Sequence, residues 1–144
     1  MMFLCVLIFA TTYAQPGTID VKQCPDIHYT PSILINKLEY DQYPYLDDTT
    51  YMFKINVTIP TEKATMTWFL EYYWGTLYIA SYGYEDVDLC GKVPMGCPLT
   101  IGEYGFSAEA KVKDVALAGW YLLNIHFSTL IEEFGCYQGW IYLY

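Results

Sequence analysis

Residues 51–59 read Tyr51-Met52-Phe53-Lys54-Ile55-Asn56-Val57-Thr58-Ile59. Alternate positions hold Tyr51, Phe53, Ile55, Val57 and Ile59, with Met52, Lys54, Asn56 and Thr58 between them. A period of two sends these sets to opposite faces of a strand, one apolar and one wet. Pro60 ends the run, because it has no backbone N–H to donate to a ladder.

The same period recurs outward from this stretch. Thr65 to Trp74 sets Met66, Trp68, Leu70, Tyr72 and Trp74 against Thr67, Phe69, Glu71 and Tyr73. Phe106 to Val112 sets Phe106, Ala108, Ala110 and Val112 against Ser107, Glu109 and Lys111. Trp120 to Phe127 sets Tyr121, Leu123, Ile125 and Phe127 against Leu122, Asn124 and His126. Gly135 to Tyr144 reads as a final strand with both faces apolar, so its inward side stays open. Ile33 to Leu38 and Leu77 to Tyr82 are shorter candidates. Turn clusters separate the runs at Asp41-Gln42-Tyr43-Pro44, Asp47-Asp48, Tyr82-Gly83, Pro94-Met95-Gly96 and Ala118-Gly119, and Glu85-Asp86-Val87-Asp88 reads as an acidic turn. No segment carries a sustained helical stripe. About seven short strands predict an all-β chain, an antiparallel sandwich in one domain.

Composition narrows the function. The 144 residues are 54% hydrophobic and 19% aromatic, and only 16% are charged. That is too apolar for a disordered chain. The 16 Tyr and 4 Trp suit strands, and also surfaces with an apolar body and a wet rim. The net charge is -9 and there is no Arg. Such a chain repels phosphate backbones, which argues against nucleic acid as a partner. It also lacks the guanidinium fork that grips anionic head groups.

Residues 1–10, MMFLCVLIFA, form an apolar run too short to span a bilayer. Thr12 and Ala14 are small residues at the spacing of a signal-peptidase site, so 1–14 is expected to be a signal peptide and 15–144 the mature domain. Lys and Arg are missing before the apolar run. Secretion would leave Cys24, Cys90, Cys97 and Cys136, an even set with three possible pairings. The loop from Cys90 to Cys97 contains Gly91, Pro94 and Gly96 and is short enough for one bond to close; Cys24 and Cys136 would then join the two ends of the domain. Chain entropy assigns roughly 2.5 kcal/mol to the short loop and roughly 5 to the long one. No metal is expected: there is no Cys-x2-Cys, and only His28 and His126 are at hand to assist. Asn56-Val57-Thr58 is an N-glycosylation acceptor on the polar side of its strand.

From Cys90 onward the chain resembles the ML lipid-recognition family, relatives of the Niemann-Pick type C cholesterol-transfer protein, ganglioside activators and fungal phospholipid-transfer proteins. The resemblance is carried by Leu89-Cys90, by Cys97-Pro98-Leu99 with Gly102 and Tyr104, by Ala118-Gly119-Trp120-Tyr121, and by Phe134-Gly135-Cys136 before a terminal strand. Cys24 sits where the family places the partner of its last cysteine. Some relatives carry a further cysteine pair soon after the first cysteine; this chain has none. The resemblance implies an immunoglobulin-like antiparallel β-sandwich with a lipid cavity between its sheets.

It also implies a secreted or lysosomal lipid-binding or lipid-transfer protein, a monomer in transient contact with membranes. Its ligand would be a sterol, fatty acid, phospholipid or glycolipid, with a sterol or another single-tailed lipid favoured. The expected cavity wall is Phe53, Ile55, Val57, Met66, Trp68, Phe106, Tyr121, Leu123, Ile125, Phe127 and Ile141. The dense aromatic stretch 68–84 would form a cavity mouth or membrane-docking surface. The alternative is a secreted immunoglobulin-like recognition module that binds a protein. Catalysis has little footing and no cofactor is expected. His126 and Ser128 share a strand face, with no acid evidently placed to orient the imidazole. There is no nucleophile elbow, phosphate loop or zinc helix motif.

Overall fold

A computed structural model describes residues 17–41, 47–111 and 117–143. The expected signal peptide, 1–14, lies outside the described residues, as does Val112. The described chain forms β1 (Gly17–Thr18), β2 (Lys22–Gln23), β3 (Ile33–Tyr40), β4 (Asp47–Val57), β5 (Thr65–Trp74), β6 (Leu77–Asp88), the one-turn helix α1 (Leu89–Lys92), β7 (Gly102–Lys111), β8 (Gly119–Ser128) and β9 (Glu133–Leu143). A four-stranded sheet runs β1-β3-β4-β7 and a five-stranded sheet runs β2-β9-β8-β5-β6. Every described pairing is antiparallel. The seven longer strands coincide with the seven runs and shorter candidates read from the sequence, and they form the expected sandwich.

Three turn readings are corrected. Tyr82-Gly83 and the acidic residues 85–88 lie inside β6, and Asp47-Asp48 open β4. Acids have low strand propensity, but β6 is an edge strand, where charge discourages pairing with another chain. Two of the acids are also held locally. The Thr67 hydroxyl donates to Asp86 Oδ1 at 2.6 Å, and the Asp88 carboxylate accepts the Cys90 N–H at 3.0 Å, capping α1. That single turn is too short to leave a helical stripe in the sequence.

The sheets are laced together along their β3 and β9 edges. Residues 17–18 pair with β3 in one sheet and residues 22–23 with β9 in the other, so the intervening chain crosses from sheet to sheet. The Ile19 N–H donates to Leu38 O at 2.8 Å, and the Cys24 N–H to Cys136 O at 2.9 Å. The disulfide Cys24–Cys136 fixes that crossing, with its Cα atoms 5.3 Å apart. The second disulfide, Cys90–Cys97, closes the loop after α1. Just ahead of β3, the Ser32 N–H reaches Phe134 O at 2.9 Å, and from β9 the buried Tyr137 hydroxyl donates to Ile33 O at 2.6 Å.

Glycine makes this seam possible. A Cβ on Gly135 would stand 2.8 Å from Ile33 O, and one on Gly139 would stand 2.7 Å from Asp20 O. Both contacts are with backbone, which cannot swing aside like a side-chain tip. Gly135→Ala is therefore predicted to destabilise the fold by about 1–3 kcal/mol, read as a lower urea midpoint. An unchanged midpoint would mean that the seam yields.

Burial pushes Tyr137 up to about 12 from an ordinary 10.0. Between those values the unfolded chain releases a proton that the folded chain keeps. Stability should therefore fall as pH rises through this range. Urea titrations of the wild type and Tyr137→Phe test this: the variant should lose part of the alkaline decline, and identical slopes would contradict it.

Candidate functional site: the layer between the sheets

The space between the sheets is lined from both sides by alternate residues. β4 supplies Phe53, Ile55 and Val57, and β7 supplies Phe106. Facing them, β5 supplies Met66 and Trp68, β8 supplies Tyr121, Leu123, Ile125 and Phe127, and β9 supplies Ile141. All eleven residues expected to form the wall are buried. The inward side of β9 is also decided: Tyr137, Ile141 and Leu143 are buried, while Trp140 is half exposed.

Several buried neighbours were not among the expected wall residues. Tyr51 lies on the Phe53 face of β4 and was legible there. Ile33 and Leu38 of β3 are both fully buried although five residues apart, an odd spacing that hides them from a period of two. A bulge between Ile35 and Lys37 turns the second half of the strand over and brings both inward. Leu89 and Leu99, on either side of the Cys90–Cys97 loop, are also fully buried.

Aromatic rings span the gap. The Trp68 ring of one sheet meets Tyr51 edge-on at 5.2 Å and Phe53 at 6.1 Å from the other. Phe53 stacks on Phe106 at 5.0 Å, and Tyr121 stacks on Tyr72 at 4.8 Å. Burial, followed by nearby Tyr40 and Asp41, drives the Tyr51 hydroxyl well above its usual pKa. The layer therefore stays neutral across the physiological range. Its chemistry is that of apolar surface with a few neutral polar atoms, which suits an uncharged, water-averse guest.

Open clefts lie at both ends of the five-stranded sheet. One, of about 680 Å³, is lined by Ile59, Pro60, Ala64, Leu130, Ile131 and Phe134 among others. The other, of about 620 Å³, is lined by Tyr72, Tyr73, Gly75, Gly119, Trp120 and Trp140. Around the second cleft the outer sheet face is aromatic. Trp74, Tyr78, Trp120 and Trp140 are exposed, Tyr73 meets Trp140 at 5.6 Å, and Trp120 meets Tyr142 at 5.3 Å.

His126 is on the outer face of β8. Its Nδ1 lies 2.9 Å from Glu133 Oε1, an orienting acid that the sequence reading missed because Glu133 sits across the hairpin on β9. Its Nε2 lies 3.8 Å from Cys136 Sγ, which is bonded to Cys24. A disulfide sulfur is neither a thiolate ligand nor a nucleophile. The trio His126, Glu133 and Cys136 therefore fits a metal ion poorly while that bond stands.

Two facing antiparallel sheets, an apolar layer between them and a laced edge define an immunoglobulin-like β-sandwich. The chain is similar to the crystal structure of a Niemann-Pick type C2 protein from Japanese carpenter ant, with a TM-score of 0.52 over 92% of this chain and 93% of that one. The two are 11% identical, so the likeness is one of fold. It is the fold that the ML resemblance implies. No family model and no curated protein matches the chain.

Phe53 touches both sheets, so it separates a tightly packed layer from a slack one. Phe53→Ala is predicted to cost about 3–5 kcal/mol of unfolding free energy in the empty protein. A loss nearer 1 kcal/mol, again by urea titration, would show that the ring lines space rather than fills it.

Proposed function

We propose that this chain is a secreted lipid carrier that takes a sterol or another apolar lipid between its two sheets. The observation that carries the reading is the neutral, aromatic layer lined from both sheets, in a fold shared with a Niemann-Pick type C2 protein. Each methylene buried there contributes roughly 0.8 kcal/mol, enough for binding without any catalytic group. The wall residues are buried from solvent, so a guest must pass between the sheets to reach them. Phe53, Ile55, Val57, Met66, Trp68, Phe106, Tyr121, Leu123, Ile125, Phe127 and Ile141 would then touch lipid.

The remaining features fit a carrier. A signal peptide over 1–14 would send the chain to an oxidising compartment, outside the cell or in the lysosomal lumen, where its two disulfides persist. Asn56 lies on the outer face of β4 and is half exposed, open to a glycan. Trp and Tyr favour the membrane–water boundary, so the aromatic end bearing Trp74, Trp120 and Trp140 is where a monomer would touch a donor or acceptor membrane. The protein-recognition alternative rests on these same exposed rings and leaves the neutral interior unused. We read the chain as a carrier and not an enzyme, since His126 is stacked on Phe69 and held between the Glu133 carboxylate and the bonded sulfur of Cys136.

The test is lipid extraction of the protein purified from a secreting eukaryotic host, followed by mass spectrometry. One sterol, fatty acid or phospholipid per chain is expected. A protein that emerges empty, and that fails to take up a fluorescent sterol or acyl probe from vesicles, would overturn the carrier reading.

A further inference from the structure

The layer between the sheets contains a hydrogen-bond donor with no acceptor. Trp68 is 5% exposed, and its Nε1 is sealed from solvent without a partner among the described residues. It stands between the sheets: its ladder neighbours are Ile125 on β8 and Glu85 on β6, and its ring meets Tyr51 and Phe53 from the facing sheet. Buried indole N–H groups ordinarily find an acceptor, because leaving one unmade forfeits a bond that water would supply. Phe would fill much of the same space without that cost. An unpaired donor in a layer that is apolar but for a few neutral polar atoms is therefore a feature awaiting a partner.

We propose that Trp68 Nε1–H donates to a neutral oxygen atom of the bound lipid, a hydroxyl, ketone or ester carbonyl held between the sheets. The oxygen must be neutral because no buried cation among the described residues would balance a negative charge. The buried polar side chains among the described residues are Ser32, Thr49, Thr61 and Asn124, none of them ionisable at neutral pH. A carboxylate in this layer would be desolvated without a cation, which is far costlier than losing one hydrogen bond. The guest thus carries its oxygen inward, and a pure hydrocarbon of the same shape leaves the donor unmet. This inference rests on the carrier reading above and narrows it to a ligand class.

The experiment pairs lipids that differ in one oxygen: cholesterol against cholestene, and hexadecanol against hexadecane. Affinities are measured for the wild type and Trp68→Phe, with circular dichroism confirming that the variant folds. The wild type should favour the oxygenated member of a bound pair roughly three- to tenfold, and Trp68→Phe should erase that preference within each pair.

A second readout needs no variant to fold. The four Trp give few indole N–H resonances, and that of Trp68 should move downfield only with the oxygenated lipid. An unmoved resonance, or equal preference in both proteins, would overturn the Trp68 assignment and leave the carrier reading standing. Failure of every lipid to bind would overturn both.

Discussion

The structure depends on one place where backbone meets backbone. Along the β3 and β9 edge the sheets approach closer than side chains allow, and Gly135 and Gly139 are the residues that permit it. The crossing segment 17–24 passes over β9 at Gly139, and Ile33 O passes over it at Gly135. Cys24–Cys136 then locks the crossing covalently. A sandwich held this way has one fixed margin. The separation of its sheets elsewhere is set by the side chains between them, and side chains can be displaced by a guest where a backbone seam cannot.

That division would matter for a carrier of the kind proposed. Hydrophobic burial has no preferred direction, so rings such as Phe53, Trp68 and Tyr121 can trade contacts with one another for contacts with a ligand at little net loss. Hydrogen bonds and the disulfide are directional and short-ranged, and they are concentrated at the seam: Ser32 to Phe134, Tyr137 to Ile33, Cys24 to Cys136. Specific interactions hold the frame, and adaptable ones fill it.

Much of the frame was legible in the sequence, because a half-buried strand writes its burial as strict alternation. β4, β5 and β8 follow that rule; β5 and β8 have nearly the expected ends, whereas β4 begins at Asp47, ahead of Tyr51, and stops at Val57, short of Ile59. The failures have separate physical causes. β3 hides its two core residues at odd spacing because a bulge reverses its face midway. β9 looked apolar on both sides because both sides are: one faces the core and the other carries Trp140 and Tyr142 on the outer aromatic surface. The end of β6 was taken for a turn because its acids oppose strand propensity, a cost that an edge strand tolerates. Glu133 was missed as the partner of His126 because hairpin register is not written in either strand alone. The wall was legible as an inward face, but alternation is blind to whether such a face meets protein or lipid. The unpaired state of Trp68 Nε1 had no sequence signal at all, since it depends on what every neighbouring strand brings to the same spot.

Selectivity in such an interior follows from an asymmetry of energies. Apolar contact distinguishes ligands poorly, since one methylene more or less changes affinity modestly and any greasy molecule of fitting girth gains from entry. A buried donor discriminates more sharply, because a guest without an acceptor leaves it unmet while one with an acceptor satisfies it. One polar atom in an oily layer can thus decide among many guests of similar shape. More donors would begin to hydrate the layer and erode the burial that drives binding. On the proposed reading, the unpaired indole N–H beside Tyr51 and Phe53 would strike that balance: enough polarity to choose a guest by its oxygen, and too little to wet the space that holds it.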